Sequence, residues 1–291
     1  MNRPLALVGA ALCAFITVSS ACMAQGSDFV RFNLEPQRKN TGKIQASFRQ
    51  DRGDRNRNNW STGFMPSELI GLEVSSFRAA GTRPLHFTIN REAGRLDCNG
   101  NGGNSYASGN CRFVANAQFS QLLASRGIGR PTRDQSFALM AVNARRDIID
   151  AVAEARYPTP TIDDLTALAA LNVNGRYIRE MAQAGYRPRS ISSLIEFKAL
   201  NITPQWIGGF ARVGYASMPS DSLVQLKALD ITPEFVAGYQ RLGYRNLRVN
   251  TLVQLKALNI TPEFVRGAVA AGKPMPPVDD LVEMKLFGRK R

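Results

Sequence analysis

From about residue 119 to the C-terminus, the apolar and polar positions repeat themselves. Ile202-Thr203-Pro204, Ile231-Thr232-Pro233 and Ile260-Thr261-Pro262 stand 29 residues apart. Aligned on this period, five units start at Ser136, Leu165, Leu194, Leu223 and Leu252, and a truncated sixth starts at Leu281. In the fourth unit Leu223, Leu226 and Leu229 share one face of a short helix. Asp230 follows, in a column otherwise held by Asn143, Asn172, Asn201, Asn259 and Gly288. These residues tolerate the left-handed conformation that ends a helix. Thr232 then suits an N-cap, and Pro233 the first helical position, where its missing N–H costs nothing. Glu234 favours the positive end of the helix dipole. Phe235, Val236, Tyr239 and Leu242 line a second helix, which Gly243 closes.

Such a helix pair cannot bury its apolar side alone, whereas stacked copies can, so the pattern predicts an α-solenoid. A half-unit with Phe119 and Gly127 in register precedes the first unit. The end units depart from the pattern, as capping units must. Ser136, Met140 and Arg145-Arg146 replace the usual Leu, Lys and Thr-Pro in the first unit, and Phe287-Gly288-Arg289-Lys290-Arg291 ends the last. Two further columns stand out: Ile148, Tyr177, Trp206, Phe235, Phe264, and Tyr157, Tyr186, Tyr215, Tyr244. A lysine column runs through Lys198, Lys227, Lys256 and Lys285. It reads either as a solvated face or as a binding ridge.

The N-terminal part has a different period. Leu85, Phe87 and Ile89 alternate with His86, Thr88 and Asn90, the mark of a half-buried strand. Shorter patterns at 29–32, 43–48, 60–65 and 111–114 predict more strands, with Arg91-Glu92-Ala93-Gly94 as a hairpin turn. Residues 50–59 read as an exposed loop, Pro66-Ser67-Glu68 as a helical turn capped by Ser67, and the Gly/Asn run 99–104 as a floppy loop. The expected fold is α+β: a small antiparallel β domain over 25–116, then a helical repeat domain over 117–291.

The first residues change the compartment. Arg3 precedes an uncharged apolar run, Leu5 to Val18, and Ser19-Ser20-Ala21-Cys22-Met23-Ala24 ends it with small residues. This predicts a signal peptide over 1–24 and a periplasmic or secreted chain with no transmembrane segment after cleavage. Acylation of Cys22, giving an outer-membrane lipoprotein, is the disfavoured alternative, because Ser19 stands where a large aliphatic residue is wanted. In an oxidising compartment the two cysteines that remain, Cys98 and Cys111, are expected to pair.

Charge and chemistry narrow the function. The chain has a net charge of +14 and a single histidine, His86. That excludes a multi-histidine zinc site and a triad needing a second histidine. Asp51, Asp54, Glu92 and Asp97 show no spacing that ties two of them into an acid/base pair. The basic excess favours acidic partners, such as anionic envelope surface or acidic proteins. Arg49, Arg52, Arg55 and Arg57 form the densest basic patch, with only Trp60 near as a stacking ring. Together with export, this argues against nucleic acid.

The stretch 223–236, Leu-Val-Gln-Leu-Lys-Ala-Leu-Asp-Ile-Thr-Pro-Glu-Phe-Val, followed by Leu242-Gly243-Tyr244, resembles the short helical repeats of bacterial envelope proteins. It is also similar to the repeat tail of beta-lactam-sensing sensor-transducer peptidases. The segment 87–98 resembles the β segment that precedes these repeats in some members. The His-Glu-x-x-His motif and membrane helices of the peptidase part have no counterpart here, so protease activity is not implied. The resemblance implies an extracytoplasmic sensing or binding module. The expectation is therefore a non-enzymatic, cofactor-free interaction or scaffold module, binding a protein or an anionic envelope component through its repeat surface. The alternatives are an enzyme acting on an envelope polymer and an inhibitor or immunity-type binding protein.

Overall fold

The computed structural model describes residues 29–37, 42–51, 57–184, 186, 190–269 and 273–288. The expected signal segment with Cys22, and Arg52 and Arg55 of the basic patch, lie outside them. The chain is α+β, a six-stranded antiparallel sheet followed by helices. The strands are β1 (Phe29–Pro36), β2 (Ile44–Asp51), β3 (Arg57–Phe64), β4 (Arg83–Arg91), β5 (Gly94–Gly103) and β6 (Tyr106–Ala115). Their order is β3-β2-β1-β6-β5-β4, two three-stranded meanders joined by the β1–β6 pair. The alternation in sequence becomes two faces: Val30, Phe32 and Leu34 are buried while Phe29, Arg31 and Asn33 are exposed. The inner face is aromatic. Phe32 meets Phe87 edge to face at 4.9 Å, and Phe48 stacks on Trp60 at 4.7 Å.

Three local expectations are corrected. The helical turn at Pro66–Glu68 is a 3-10 turn whose cap position is Met65, not Ser67; the Glu68 carboxylate accepts the Met65 N–H at 2.7 Å. The segment 50–59, expected as an exposed loop, contains strand at both ends: β2 runs to Asp51 and β3 begins at Arg57. The Gly/Asn run 99–104 is mostly strand: β5 continues to Gly103, and only Asn104 and Ser105, both left-handed, make the turn into β6. The reason is packing. Gly100 and Gly109 face each other under the Phe32 ring, and an added Cβ would come within 2.9 Å and 2.8 Å of it. These glycines make room for an aromatic side chain; they are not turn formers.

Cys98 and Cys111 occupy directly opposed positions on β5 and β6, are buried, and form a disulfide. A five-residue helix, α1 (Val74–Arg78), not foreseen in the sequence, packs against β4, β5 and β6 through buried Phe77. Next come α2 (Ala117–Ser125) and α3 (Arg133–Ala141); α3 covers β5 and β6, with Phe137 meeting Phe113 edge to face at 5.4 Å.

Among the described residues ten further helices follow: α4 (Arg146–Glu154), α5 (Ile162–Ala170), α6 (Gly175–Gln183), α7 (Ile191–Ala199), α8 (Pro204–Arg212), α9 (Ser220–Ala228), α10 (Pro233–Arg241), α11 (Val249–Ala257), α12 (Pro262–Ala268) and α13 (Val278–Phe287). α3 packs on α5, α5 on α7, α7 on α9 and α9 on α11, while α4 packs on α6, α8 on α10 and α10 on α12. The predicted stop signals are in place: Asn143, Asn172, Asn201, Asp230, Asn259 and Gly288 all have positive φ. Thr203, Thr232 and Thr261 each accept the N–H three residues on, and a proline follows each. At Gly209 and Gly238 the helices of the second kind approach closely, since an added Cβ would lie 2.7 Å and 2.6 Å from Pro233 and Pro262.

The disulfide closes a segment with a sequence separation of 13. In the chain-entropy account such a link stabilises by about 3 kcal/mol. Cys98→Ala/Cys111→Ala is expected to lower the unfolding free energy by about 2–3 kcal/mol in a urea titration, and reduction of the native chain by a similar amount.

Candidate functional site

The lysine column makes internal contacts. Each ammonium lies over an aromatic ring of the preceding unit: Lys198 over Tyr177 at 4.7 Å, Lys227 over Trp206 at 5.2 Å, Lys256 over Phe235 at 5.5 Å and Lys285 over Phe264 at 4.7 Å. All four lysines are half-buried. Lys256 also donates to the Asp230 carbonyl at 2.9 Å, just past the end of α9, where the helix dipole favours a cation. A signal for this pairing was present in the sequence. Where the ring column holds Ile148, the position 21 residues on, a lysine in later units, holds Ala169. From Tyr177 onward each ring has its lysine, whereas Phe119, earlier in the ring column, has Met140 at that position.

The tyrosine column also reaches forward into the following unit. Tyr186 donates to the Ser220 hydroxyl at 2.9 Å, Tyr215 to the Leu247 carbonyl and Tyr244 to the Pro276 carbonyl at 2.6 Å. From the ring positions, Tyr177 donates to the Ile202 carbonyl at 2.8 Å, and Tyr239, one turn further along α10, donates to that of Ile260. Burial pushes the Tyr177 hydroxyl up to about 12 and the Tyr239 hydroxyl further in the same direction.

The sheet meets the helices at the tip of the β4–β5 hairpin. The Arg91 guanidinium donates to the carbonyls of Met140 and Ala141, at 2.8 Å and 2.6 Å, at the C-terminal end of α3. It also lies 5.1 Å from the Trp60 ring and 5.3 Å from that of Phe64. Burial lowers its pKa and Glu68 acts in the opposite sense; a guanidinium stays charged throughout. Next to it, the Glu92 carboxylate accepts the Arg146 N–H at 2.7 Å, at the start of α4. Arg145, the N-cap residue of α4, has no side-chain cap of its own, so Glu92 supplies what a threonine supplies in later units. Sequence reasoning missed both residues, because their partners lie about 50 residues away in the chain.

The outer face of the sheet is the other candidate surface. One continuous row, read through the strand register, contains Asn59, Arg49, Arg31, Asn110, Asn99 and His86, one residue per strand. All six are exposed. The next row begins Ser61, Ser47, Asn33, Ser108. Over β3, β2, β1 and β6 these side chains line an open concavity of about 720 Å³. Of the predicted basic patch, Arg49 falls in this concavity and Arg57 begins β3, opposite Asp51. Arg31, unremarked in the sequence, stands directly opposite Arg49.

Of the scattered acids, Glu92 and Asp97 have separate partners. Glu92 serves α4, whereas Asp97 pairs with Arg95 at 3.0 Å and accepts from Thr88 at 3.3 Å; Asp54 lies outside the described residues. Among the described residues, no group of three or more His, Cys, Asp or Glu could hold a metal ion, and no helix is long and apolar enough to cross a membrane. No family model, no curated protein and no solved structure matches the chain.

Two measurements check these contacts. A double-mutant cycle on Lys227→Met and Trp206→Leu is expected to give a coupling of about 0.5–1 kcal/mol in urea unfolding, with Lys227→Arg retaining most of it; zero coupling would mean the ring contact adds nothing. The second concerns alkali. An unfolded tyrosine ionises near pH ~10, while folded Tyr177 holds its proton to about 12. The stabilisation is therefore complete below pH ~10 and is lost as pH rises through about 12. Tyrosinate absorbance and circular dichroism should report cooperative alkaline unfolding in that window, and Tyr177→Phe should blunt it.

Proposed function

We propose that the chain is an exported binding module of the bacterial envelope, in which 29-residue helix pairs form an α-solenoid capped at one end by a disulfide-braced sheet. It acts by binding, without a cofactor, and its repeat surface engages a protein or an anionic envelope component. The observation that carries this reading is the recurrence of one junction. Four lysines, one period apart, each rest on a ring of the preceding unit. Helices in contact lie roughly 8–10 Å apart, so the ring contacts hold half-exposed cations in a regular file. A partner would meet a preorganised row of charge, with little side-chain entropy left to lose. The apolar leader and the buried disulfide support export. The similarity of the repeat to those of envelope proteins supports the compartment.

The test combines cell fractionation with proximity labelling and crosslinking in the producing cell. Recovery in the periplasm or medium, with a reproducible envelope partner crosslinked through the helical part, is expected. Replacing Lys198, Lys227 and Lys256 together by Met should weaken that complex at least tenfold, while the triple Arg variant, which keeps charge and ring contact, should bind as the native chain does. Retention in the cytoplasm, or binding that ignores the Met variant, would sink the reading.

A further inference from the structure

We infer that the outer face of the sheet is a binding site for a linear acidic glycan, a hydroxyl-rich chain that carries carboxylates. The inference concerns the sheet, not the repeat surface, and goes beyond the function proposed above. Its first ground is the row of polar side chains that crosses the strands. Neighbouring strands lie about 4.8 Å apart, close to the length of one pyranose residue in a polysaccharide. A glycan laid across the strands therefore meets a new side chain at each sugar, in step with the sheet.

The second ground is the donor set. Arg31 and Arg49 rise from directly opposed positions on β1 and β2. A carboxylate laid between these positions would meet two guanidinium forks. On either side stand Asn59 and Asn110, with Ser47 and Ser108 in the row behind. Amides and hydroxyls both donate and accept, which suits sugar hydroxyls better than phosphate oxygens, which only accept. Among the described residues lining the concavity none is acidic. Its volume of about 720 Å³ falls within the ligand-pocket range of roughly 300–1,000 Å³.

The third ground is the flanks. Phe29, two residues before Arg31 on the same face, is 56% exposed, and Tyr106 is 51% exposed with its hydroxyl donating to Asn33. Phe29 stands beside the first row and Tyr106 beside the second, where the apolar C–H faces of pyranoses could rest on them. The one ring in the row, His86, stands at its β4 end outside the concavity, so the row offers no series of stacking platforms for bases. The face is also rigid. The Cys98–Cys111 bond sits immediately next to the Asn99–Asn110 pair of the row, so little ordering is required on binding.

Calorimetric titration of the full chain with hexagalacturonate, and with its fully methyl-esterified form, tests the proposal at low salt. The acid is expected to bind and the ester to bind at least tenfold more weakly. Arg31→Gln/Arg49→Gln should weaken acid binding at least tenfold, and Asn59→Ala/Asn110→Ala should weaken both ligands, each with an unchanged melting temperature. The second pair keeps the test decisive if the arginine variant proves unstable. The proposal is overturned if acid and ester bind alike, if neither binds, or if the variants bind as the native chain does. It is overturned too if phosphatidylglycerol vesicles or single-stranded DNA bind more tightly with the same arginine dependence, which would make this a phosphate-binding face. Failure here leaves the crosslinking result on the helical part intact, so the two readings fall separately.

Discussion

Arg91 and Glu92, at the tip of one hairpin, carry the junction between sheet and helices. The guanidinium meets the carbonyl end of α3 and the carboxylate meets the amide end of α4. Each charge faces the helix pole of opposite sign, and each satisfies backbone groups that a helix end leaves orphaned. The first unit has Arg145-Arg146 where the third to fifth units have Thr-Pro, yet its second helix is capped from outside. The departures of that unit are thus accommodations to the sheet. The same guanidinium lies between the rings of Trp60 and Phe64, which ties the β3 edge of the sheet into the junction.

Beyond this anchor, stability comes from neighbours. Most of the helices are nine residues long, well short of the roughly 12–15 at which an isolated helix becomes even marginal. Each is defined by its caps and held by the next pair. Buried leucines supply the bulk of the contact, among them Leu165, Leu194, Leu223 and Leu252, all fully buried. Directional contacts fix the register: tyrosine hydroxyls on forward carbonyls, glycines under prolines, and lysines on rings. Apolar burial alone would tolerate sliding, whereas these contacts would not.

The sequence made the helical half legible because its signals are local. A cap, a proline and an asparagine lie within a few residues of the bonds they make, and the six foreseen stops from Asn143 to Gly288 are all left-handed. The sheet was legible where branched or aromatic residues alternate, and illegible over Asn99 to Gly103. There glycine marks close approach to Phe32, which is distant in sequence. The surface row was hidden for a related reason. Arg31 and Arg49 are neighbours only once the register of β1 on β2 is known, and a local search grouped Arg49 with Arg52, Arg55 and Arg57 instead. The lysine column was seen, but its ring partner sits in another column 21 residues earlier.

The chain's coupling pattern also gives it a direction. Contacts run from each helix pair to the next, and one end is fastened to a broad sheet by Arg91 and Glu92. In α13, the last described helix, Leu286 and Phe287 are 58% and 71% exposed. In the solenoid proposed above, the pairs farthest from the sheet have the fewest links to it and loosen first. Amide protons should therefore exchange with solvent in a gradient, fastest in α13 and slowest where α3 meets β5 and β6. Under a pulling force or a processive protease, such a molecule would come apart pair by pair, and the sheet would be the last part to open.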